Sequence, residues 1–365
     1  MAPISFARGA PAPECLDPAL ALDCARAALE RDGTTILSYG SGGGYGPLRE
    51  ILAARHGVDP GRVFITAGGL QGFVFYAAAQ LARKPGRVLV EAPTYDRPLK
   101  ILARGGADVV GVPMDDEGLD LDALQAELER GGDISFLYTI PTFQNPSGRT
   151  LRVERRKRLV ELARQHDLAI LEDDPYGLVR YEGTPPPLLH ELDGGSRVTF
   201  TSSFSKTVAP GLRVGYFVVD TELAAAYDDR AVSTYISPSL LPQAVVFEVI
   251  DSGRFEPNLE RVRGLLQARR NAMLDSLDSL DSLELPAGVT WSRPEGGYFL
   301  WIEFGHEVDS AVLLARATGA GVTFVKGSDF FPGGGTTGAS AARLAFSFET
   351  PERIADGVAI LASLL

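Results

Sequence analysis

Short apolar runs alternate with longer amphipathic stretches from about residue 60 to 220. The runs Val63–Thr66, Arg87–Glu91, Asp108–Val112, Ser135–Thr139, Ala169–Glu172, Val198–Ser202 and Val214–Val219 read as strands. Between most of them, segments such as Gln71–Arg83, Leu121–Arg130 and Arg152–Gln165 carry the spacing of helices. Such alternation predicts an α/β domain with a largely parallel sheet and helices on both faces. Chemistry in sheets of this kind collects at the carboxyl ends of the strands.

The pattern changes after residue 255. A long helical stretch, Phe255–Leu283, is followed by strand-like runs at Val289–Trp291, Tyr298–Glu303, Gly321–Val325 and Arg343–Ser347, with helices between and after them. This reads as a smaller α+β domain, and the first 30 or so residues are expected to pack with it. The resulting division is 1–35, 36–255 and 256–365. Pro332–Ser340, rich in Gly and Thr, reads as a surface loop. The glycines of Ser38–Arg49 do not fall in a G-x-G-x-x-G register and follow no predicted strand, so a dinucleotide fingerprint is rejected and a flexible loop is expected.

Composition narrows the function. With 365 residues, 45% hydrophobic and 22% charged, the chain is an ordinary globular one of more than one domain. A net charge of -12 argues against nucleic acid or a membrane surface as partner. Cys15 and Cys24 form no C-x-x-C pair, and His56, His166, His190 and His306 are scattered, so neither a metal site nor a disulfide framework is expected. The N-terminus shows no signal-peptide pattern and no apolar run has transmembrane length, which makes the cytoplasm the expected location.

Candidate chemistry gathers after the predicted strands. Lys206, in Thr201-Ser202-Ser203-Phe204-Ser205-Lys206, is followed seven residues later by Arg213. A desolvated lysine beside another cation has a lowered pKa and forms Schiff bases, while the hydroxyls and the arginine suit phosphate oxygens. In Leu171-Glu172-Asp173-Asp174-Pro175-Tyr176, Asp173 can pair with a protonated pyridine nitrogen, and Tyr176 can reach a phenolic oxygen on the same ring. Asp173 is preferred to Asp174 because it is nearer the strand. Asn145, in Gln144-Asn145-Pro146-Ser147-Gly148, can reach the same oxygen, although Asn-Pro-x-Gly alone is a commonplace turn. Ala67-Gly68-Gly69-Leu70 leads from a strand into a helix and offers bare N–H groups to a phosphate. Tyr95 can stack on a ring or fill a core. Arg343, at the start of an apolar strand, needs a partner: a substrate carboxylate or an internal acid.

Together, in this order, these motifs resemble the fold-type-I pyridoxal-5′-phosphate (PLP) enzymes of aminotransferase class I/II. The nearest subgroup is the 2-aminoadipate/kynurenine aminotransferases and the related domain of MocR-type regulators. The resemblance runs from Ile4-Ser5-Phe6-Ala7 to the final helix. It implies the aspartate-aminotransferase-like fold, pyridoxal 5′-phosphate as cofactor, and transfer of an amino group between an L-amino acid and a 2-keto acid. Lys206 would bond the cofactor and carry the proton between the substrate α-carbon and cofactor C4′. Asp173 would pair with the ring nitrogen, Asn145 and Tyr176 would hold the phenolic oxygen, and Tyr95 would stack on the ring. Ser203, Ser205, Arg213 and the N–H groups near Gly69 and Leu70 would hold phosphate. Tyr39 matches a tyrosine that reaches the phosphate from a neighbouring subunit, implying a homodimer with a shared site. Arg343 matches the α-carboxylate clamp, and Gly9 an N-terminal glycine lying over the substrate.

Three departures bear on the substrate. Gly69-Leu70 stands where relatives usually carry Ser-Gln, Arg8-Gly9-Ala10-Pro11 where Gly-Gly-Leu-Pro is usual, and Val325-Lys326-Gly327 where Val-Pro-Gly is usual. The last puts a cation near the expected substrate entrance, and the chain begins almost at the first family motif. Two other readings stay open: a lyase, cyclase, decarboxylase or oxidase on the same scaffold, and a non-catalytic ligand sensor. Against the sensor, the chain has no room for a preceding helix-turn-helix.

Overall fold

A computed structural model describes residues 2–282 and 286–365. The chain opens with a short strand, β1 (Ile4–Ser5). Eight strands then build the large sheet: β2 (Val63–Thr66), β3 (Arg87–Ala92), β4 (Val109–Asp115), β5 (Gly118–Leu119), β6 (Ile134–Thr139), β7 (Ile170–Asp173), β8 (Val198–Ser203) and β9 (Gly215–Val218). Their spatial order is β2-β9-β8-β7-β6-β3-β4-β5. Strands β4, β3, β6, β7 and β8 run parallel, whereas β9 is antiparallel to both β8 and β2. β2 therefore points the same way as β8. The carboxyl ends of β2, β3, β6, β7 and β8 lie along one edge, and that edge carries the glycine turn, Tyr95, Asn145, Asp173 and Lys206.

Helices cover both faces because their apolar residues recur at helical spacing. The helix Gly69–Arg83 buries Phe73, Tyr76, Ala77 and Gln80, and the helix Val153–Gln165 buries Arg156, Leu159, Val160 and Ala163. Strands buried on both faces need near-continuous apolar runs, and β2 and β6 are buried at every position.

The smaller sheet contains β10 (Val289–Trp291) and β11 (Phe299–Phe304); the short β12 (Val322–Thr323) pairs with β1 instead. With β13 (Val325–Lys326) and β14 (Ala341–Ala345), the order is β10-β11-β14-β13, all antiparallel. The single strand expected over Gly321–Val325 is thus split at Phe324, whose side chain turns into the second core. The helix Phe255–Asp278 crosses from one core to the other. Leu259, Val262 and Leu266 pack into the first core, Met273 and Leu277 into the second. The expected end of that helix, Leu283, lies outside the described residues.

Two expectations need correction. The N-terminal stretch does not pack as one with the small core. Ile4 and Phe6 do, but Cys24, Ala28 and Ile36 of the helix Pro18–Ile36 belong to the large core, since that helix lies against the helix Leu240–Asp251. The glycine-rich loop before the helix Gly46–His56 is pinned rather than flexible: Gly42 to Tyr45 are buried, Ile65 N donates to Gly43 O at 3.0 Å, and Tyr45 N donates to Gln243 Oε1 at 2.8 Å. Gly44, at φ +100, has room for no Cβ, which would fall 2.6 Å from Gln243 Oε1.

Gly72 marks the tightest helix–sheet contact among the described glycines, because a Cβ there would sit 1.9 Å from Phe217 Cε2. Alanine ordinarily stabilises a helix interior, but here overpacking outweighs that gain. Gly72→Ala is expected to lower unfolding free energy by about 1–3 kcal/mol in urea titration. An unchanged or raised midpoint would show that Phe217 can swing aside.

Candidate active site

The phosphate-type cradle forms where β2 meets its helix. Gly68, at φ +82, turns the chain so that the helix begins at Gly69 with its first N–H groups free. Arg213 lies over this turn, its Nη2 donating to Ala67 O at 2.9 Å; a Cβ on Gly68 would fall 2.4 Å from that nitrogen. The Arg213 backbone is left-handed, at φ 53, after the turn Pro210–Leu212. Ser203 Oγ donates to Ser205 Oγ at 2.8 Å, so both hydroxyls face the same corner. A Cβ on Gly215 would meet Gly69 N at 2.7 Å, so glycine there lets β9 approach the cradle. Leu70 adds a backbone N–H and no polar side chain.

Lys206 follows β8. Its Nζ donates to Gly9 O at 2.8 Å and lies 4.9 Å from the Tyr298 ring and 5.8 Å from the Tyr176 ring. Burial lowers its pKa to about 8, and the Arg343 and Arg213 cations add to the effect. On the neighbouring strand, Asp173 Oδ2 accepts a bond from Tyr138 Oη at 2.7 Å. Burial, chiefly, raises Asp173 to about 7, reinforced by Asp174 and Glu91 and opposed by the Tyr138 bond. Asp174 is committed elsewhere, accepting from Gly177 N at 2.7 Å, which leaves Asp173 as the acid that can meet a ring cation.

Arg343, on β14, closes the other side. It is 7% exposed, yet no acid among the described residues pairs with it. Its Nη1 donates to Asn145 Oδ1 at 3.0 Å and its Nη2 to Ala7 O at 2.9 Å, while its buried Nε has no partner. The guanidinium lies 4.2 Å from the Phe299 ring and 5.2 Å from that of Phe330. Asn145 also bonds the Tyr176 side chain. A Cβ on Gly9 would strike the Phe299 ring at 2.6 Å and lie 3.9 Å from Arg343 Nη2, so Gly9 sits between the clamp and Lys206. Tyr95 starts the helix Asp96–Arg104, and burial, Asp96 and Asp173 raise its pKa.

The remaining sequence candidates lie apart from this cluster. Tyr39 is 84% exposed and has no hydrogen bond or ring contact among the described residues. Lys326 is bound to Asp329 at 2.7 Å and to Ser328 Oγ at 3.1 Å, and the Arg8 guanidinium stacks 4.1 Å from the Phe348 ring. Both cations are therefore engaged. Sequence reasoning missed Tyr138, which orients Asp173, and Tyr298, whose hydroxyl donates to Lys206 O at 3.2 Å. The only available signal for Tyr138 was a hydroxyl at the end of a fully buried strand.

These features match known proteins along the whole chain. The family model "Aminotransferase class I and II" matches residues 13–331. Aromatic-amino-acid aminotransferase 1 of Thermococcus litoralis is 33% identical over 99% of this chain and 88% of its own length. The structure of LysN, the α-aminoadipate aminotransferase of Thermus thermophilus complexed with N-(5′-phosphopyridoxyl)-L-leucine, has a TM-score of 0.91 at 35% identity. It covers 100% of this chain and 92% of that one. Kynurenine aminotransferase of Pyrococcus horikoshii, in complex with PMP, has a TM-score of 0.92 at 33% identity, over 100% and 91% of the two chains. The chain belongs to the class I and II aminotransferases. It is a pyridoxal-phosphate enzyme that moves an amino group between an amino acid and a keto acid, built on the aspartate-aminotransferase-like α/β fold.

The residues present fit that cofactor. The Gly68 turn leaves backbone N–H groups and Arg213 for a phosphate, Asp173 lacks a cation, and the Arg343 fork lacks an acid. The Asp173 shift has a consequence for the apoprotein. Its folded value of about 7 exceeds the ordinary 3.8, so the folded state binds more protons between those values, and stability falls as pH rises through that window and levels off above it. Asp173→Asn is expected to raise the melting temperature of the apoprotein at pH 8 and flatten its pH slope, while weakening cofactor retention. Equal slopes in the two apoproteins would remove Asp173 from this role. Glu91 and Glu172, raised in the same direction, retain part of the slope in both.

Proposed function

We propose that this aminotransferase works through a site in which Lys206, Asp173 and Arg343 hold three different ends of the reacting assembly. The observation that supports this most strongly is the lowered amine of Lys206 sharing one cleft with a buried, acid-free Arg343. Pyridoxal 5′-phosphate supplies the aldehyde that bonds an amine and the ring that accepts electrons from the substrate. Lys206 would hold the aldehyde, and its amine, neutral when free, would move the proton at the substrate α-carbon. Asp173, held by Tyr138, keeps the ring nitrogen protonated. Asn145 and Tyr176 bind the phenolic oxygen, and Tyr95 covers the ring face. Ser203, Ser205, Arg213 and the N–H groups of Gly69 and Leu70 anchor the phosphate. Arg343 grips the α-carboxylate with its planar fork, and Gly9 lies over the substrate.

We further infer a homodimer with a shared site and a division of the chain into large and small bodies near residue 256. An apolar group of Leu37, Tyr39 and Ile236, each at least 60% exposed, supports a subunit contact. Gly40 N donates to Ser237 Oγ at 2.7 Å, so the loops bearing these residues are tied together. Tyr39 would then reach the phosphate of the partner's site. Two buried free thiols, Cys15 and Cys24, suit a reducing cytoplasm. The donor is an L-amino acid, and the aromatic, 2-aminoadipate and kynurenine specificities of the relatives set the first compounds to try.

Lys206→Ala is expected to abolish the visible band of the lysine-bound cofactor and all turnover; a retained band would overturn the assignment. Arg343→Ala is expected to raise KM for the donor at least about tenfold with little change in cofactor affinity. An unchanged KM would place the carboxylate elsewhere. With the wild-type holoenzyme, a donor that bleaches the visible band, with recovery on adding a 2-keto acid, establishes transamination. Ammonia release without that recovery would indicate elimination instead.

A further inference from the structure

Glu91 lies on β3, four residues before Tyr95 and on the strand next to the one that leads to Asn145. It is the last residue but one of β3, is 1% exposed, and has no ion pair among the described residues. In contrast, the buried Glu172 has Arg156 at 3.5 Å. An unpaired buried carboxylate is costly unless hydrogen bonds fill its oxygens. Those of Glu91 are filled by Thr139 Oγ1 at 2.5 Å, Gln144 Nε2 at 2.9 Å, and Ile140 N at 3.2 Å from each oxygen. Burial raises its pKa to about 7, and these same bonds oppose the shift.

Gln144 extends the arrangement. It is 1% exposed; its Nε2 also donates to Pro93 O at 2.8 Å, and its Oε1 accepts from Ser147 N at 2.8 Å. One carboxylate therefore fastens together the segments that leave the adjacent parallel strands β3 and β6. The first carries Tyr95, two residues past Pro93. The second carries Asn145, next to Gln144, and Asn145 meets Arg343 and Tyr176. An acceptor-only group suits this junction, because a glutamine would turn an NH₂ group toward Gln144 Nε2 or Ile140 N.

We propose that Glu91 is a positioning residue for the transamination site, acting through Gln144 to fix Asn145 against the cofactor ring and Arg343. The proposal rests on the role given above to Asn145. The test is a double-mutant cycle on the holoenzyme with Glu91→Gln and Asn145→Ala. The readouts are the pH midpoint of the lysine-bound cofactor's visible band without substrate, KM against kcat for the donor, and thermal melting. Glu91→Gln is expected to move the band's midpoint by about half a pH unit or more and raise KM about tenfold, and to change neither in the Asn145→Ala background. Additive effects, or a lowered melting temperature with midpoint and KM unchanged, would overturn the proposal and leave Glu91 a purely structural residue. If Asn145→Ala alone changes nothing, the role of Asn145 falls and the proposal falls with it. If Asn145→Ala changes both readouts and Glu91→Gln neither, only the proposal falls. Should Glu91→Gln not fold, Gln144→Met cuts the same link without touching the carboxylate and is held to the same outcomes.

Discussion

Desolvation of ionisable side chains along one edge of the large sheet is the constraint on which the site depends. Low-dielectric surroundings push every group there toward its neutral form: Lys206 and Arg343 down, Asp173 and Glu91 up. Each shift opposes folding of the empty protein. In the proposed site, each would also leave a group short of the partner that the bound assembly supplies: an aldehyde for the lysine, a ring cation for the aspartate, a carboxylate for the arginine. Hydrogen bonds settle orientation, as Tyr138 does for Asp173 and Gln144 for the turn bearing Asn145. On that reading, affinity for cofactor and substrate would in part be the relief of burial already imposed on the apoprotein.

Strand direction explains why so few elements suffice. Six strands point the same way, so residues just past the ends of β2, β3, β6, β7 and β8 arrive at a common edge without long loops. The smaller sheet adds a further cation, Arg343, that reaches Asn145 at that edge. Phe299 and Phe330 pack on the Arg343 guanidinium and hold it in place without neutralising it.

Much of this was legible from residues alone. Apolar runs located β2, β6, β7 and β8 to within a residue or two, because strands buried on both faces tolerate little else. Lys206, Asp173, Asn145 and Arg343 stood out as polar residues at the ends of such runs; in the structure Arg343 bonds Asn145, and Gly9 lies between Arg343 and Lys206. Packing partners were less legible. The helix Pro18–Ile36 buries only Cys24, Ala28 and Ile36, too sparse a stripe to name the core it joins. Loop rigidity was hidden because glycine signals freedom in a sequence, while at Gly44 its missing side chain admits Ile65 and Gln243. Tyr138 and Glu91 were overlooked because each lies inside an apolar run and reads as core, although its polar end is what the site uses.

The route of the first residues across the site has a consequence for biosynthesis. Ala7 O receives Arg343 from 336 positions later, Ser347 Oγ reaches Ala10 O, and Gly9 O receives Lys206. Contacts so distant along the chain close late, after the intervening segments have folded. During translation, the reactive lysine and the cradle beside it emerge well before the last strand has left the ribosome. In the proposed site, Lys206 and the phosphate cradle would thus be synthesised well before Arg343, and the route of the first residues would be fixed only once β14 is in place.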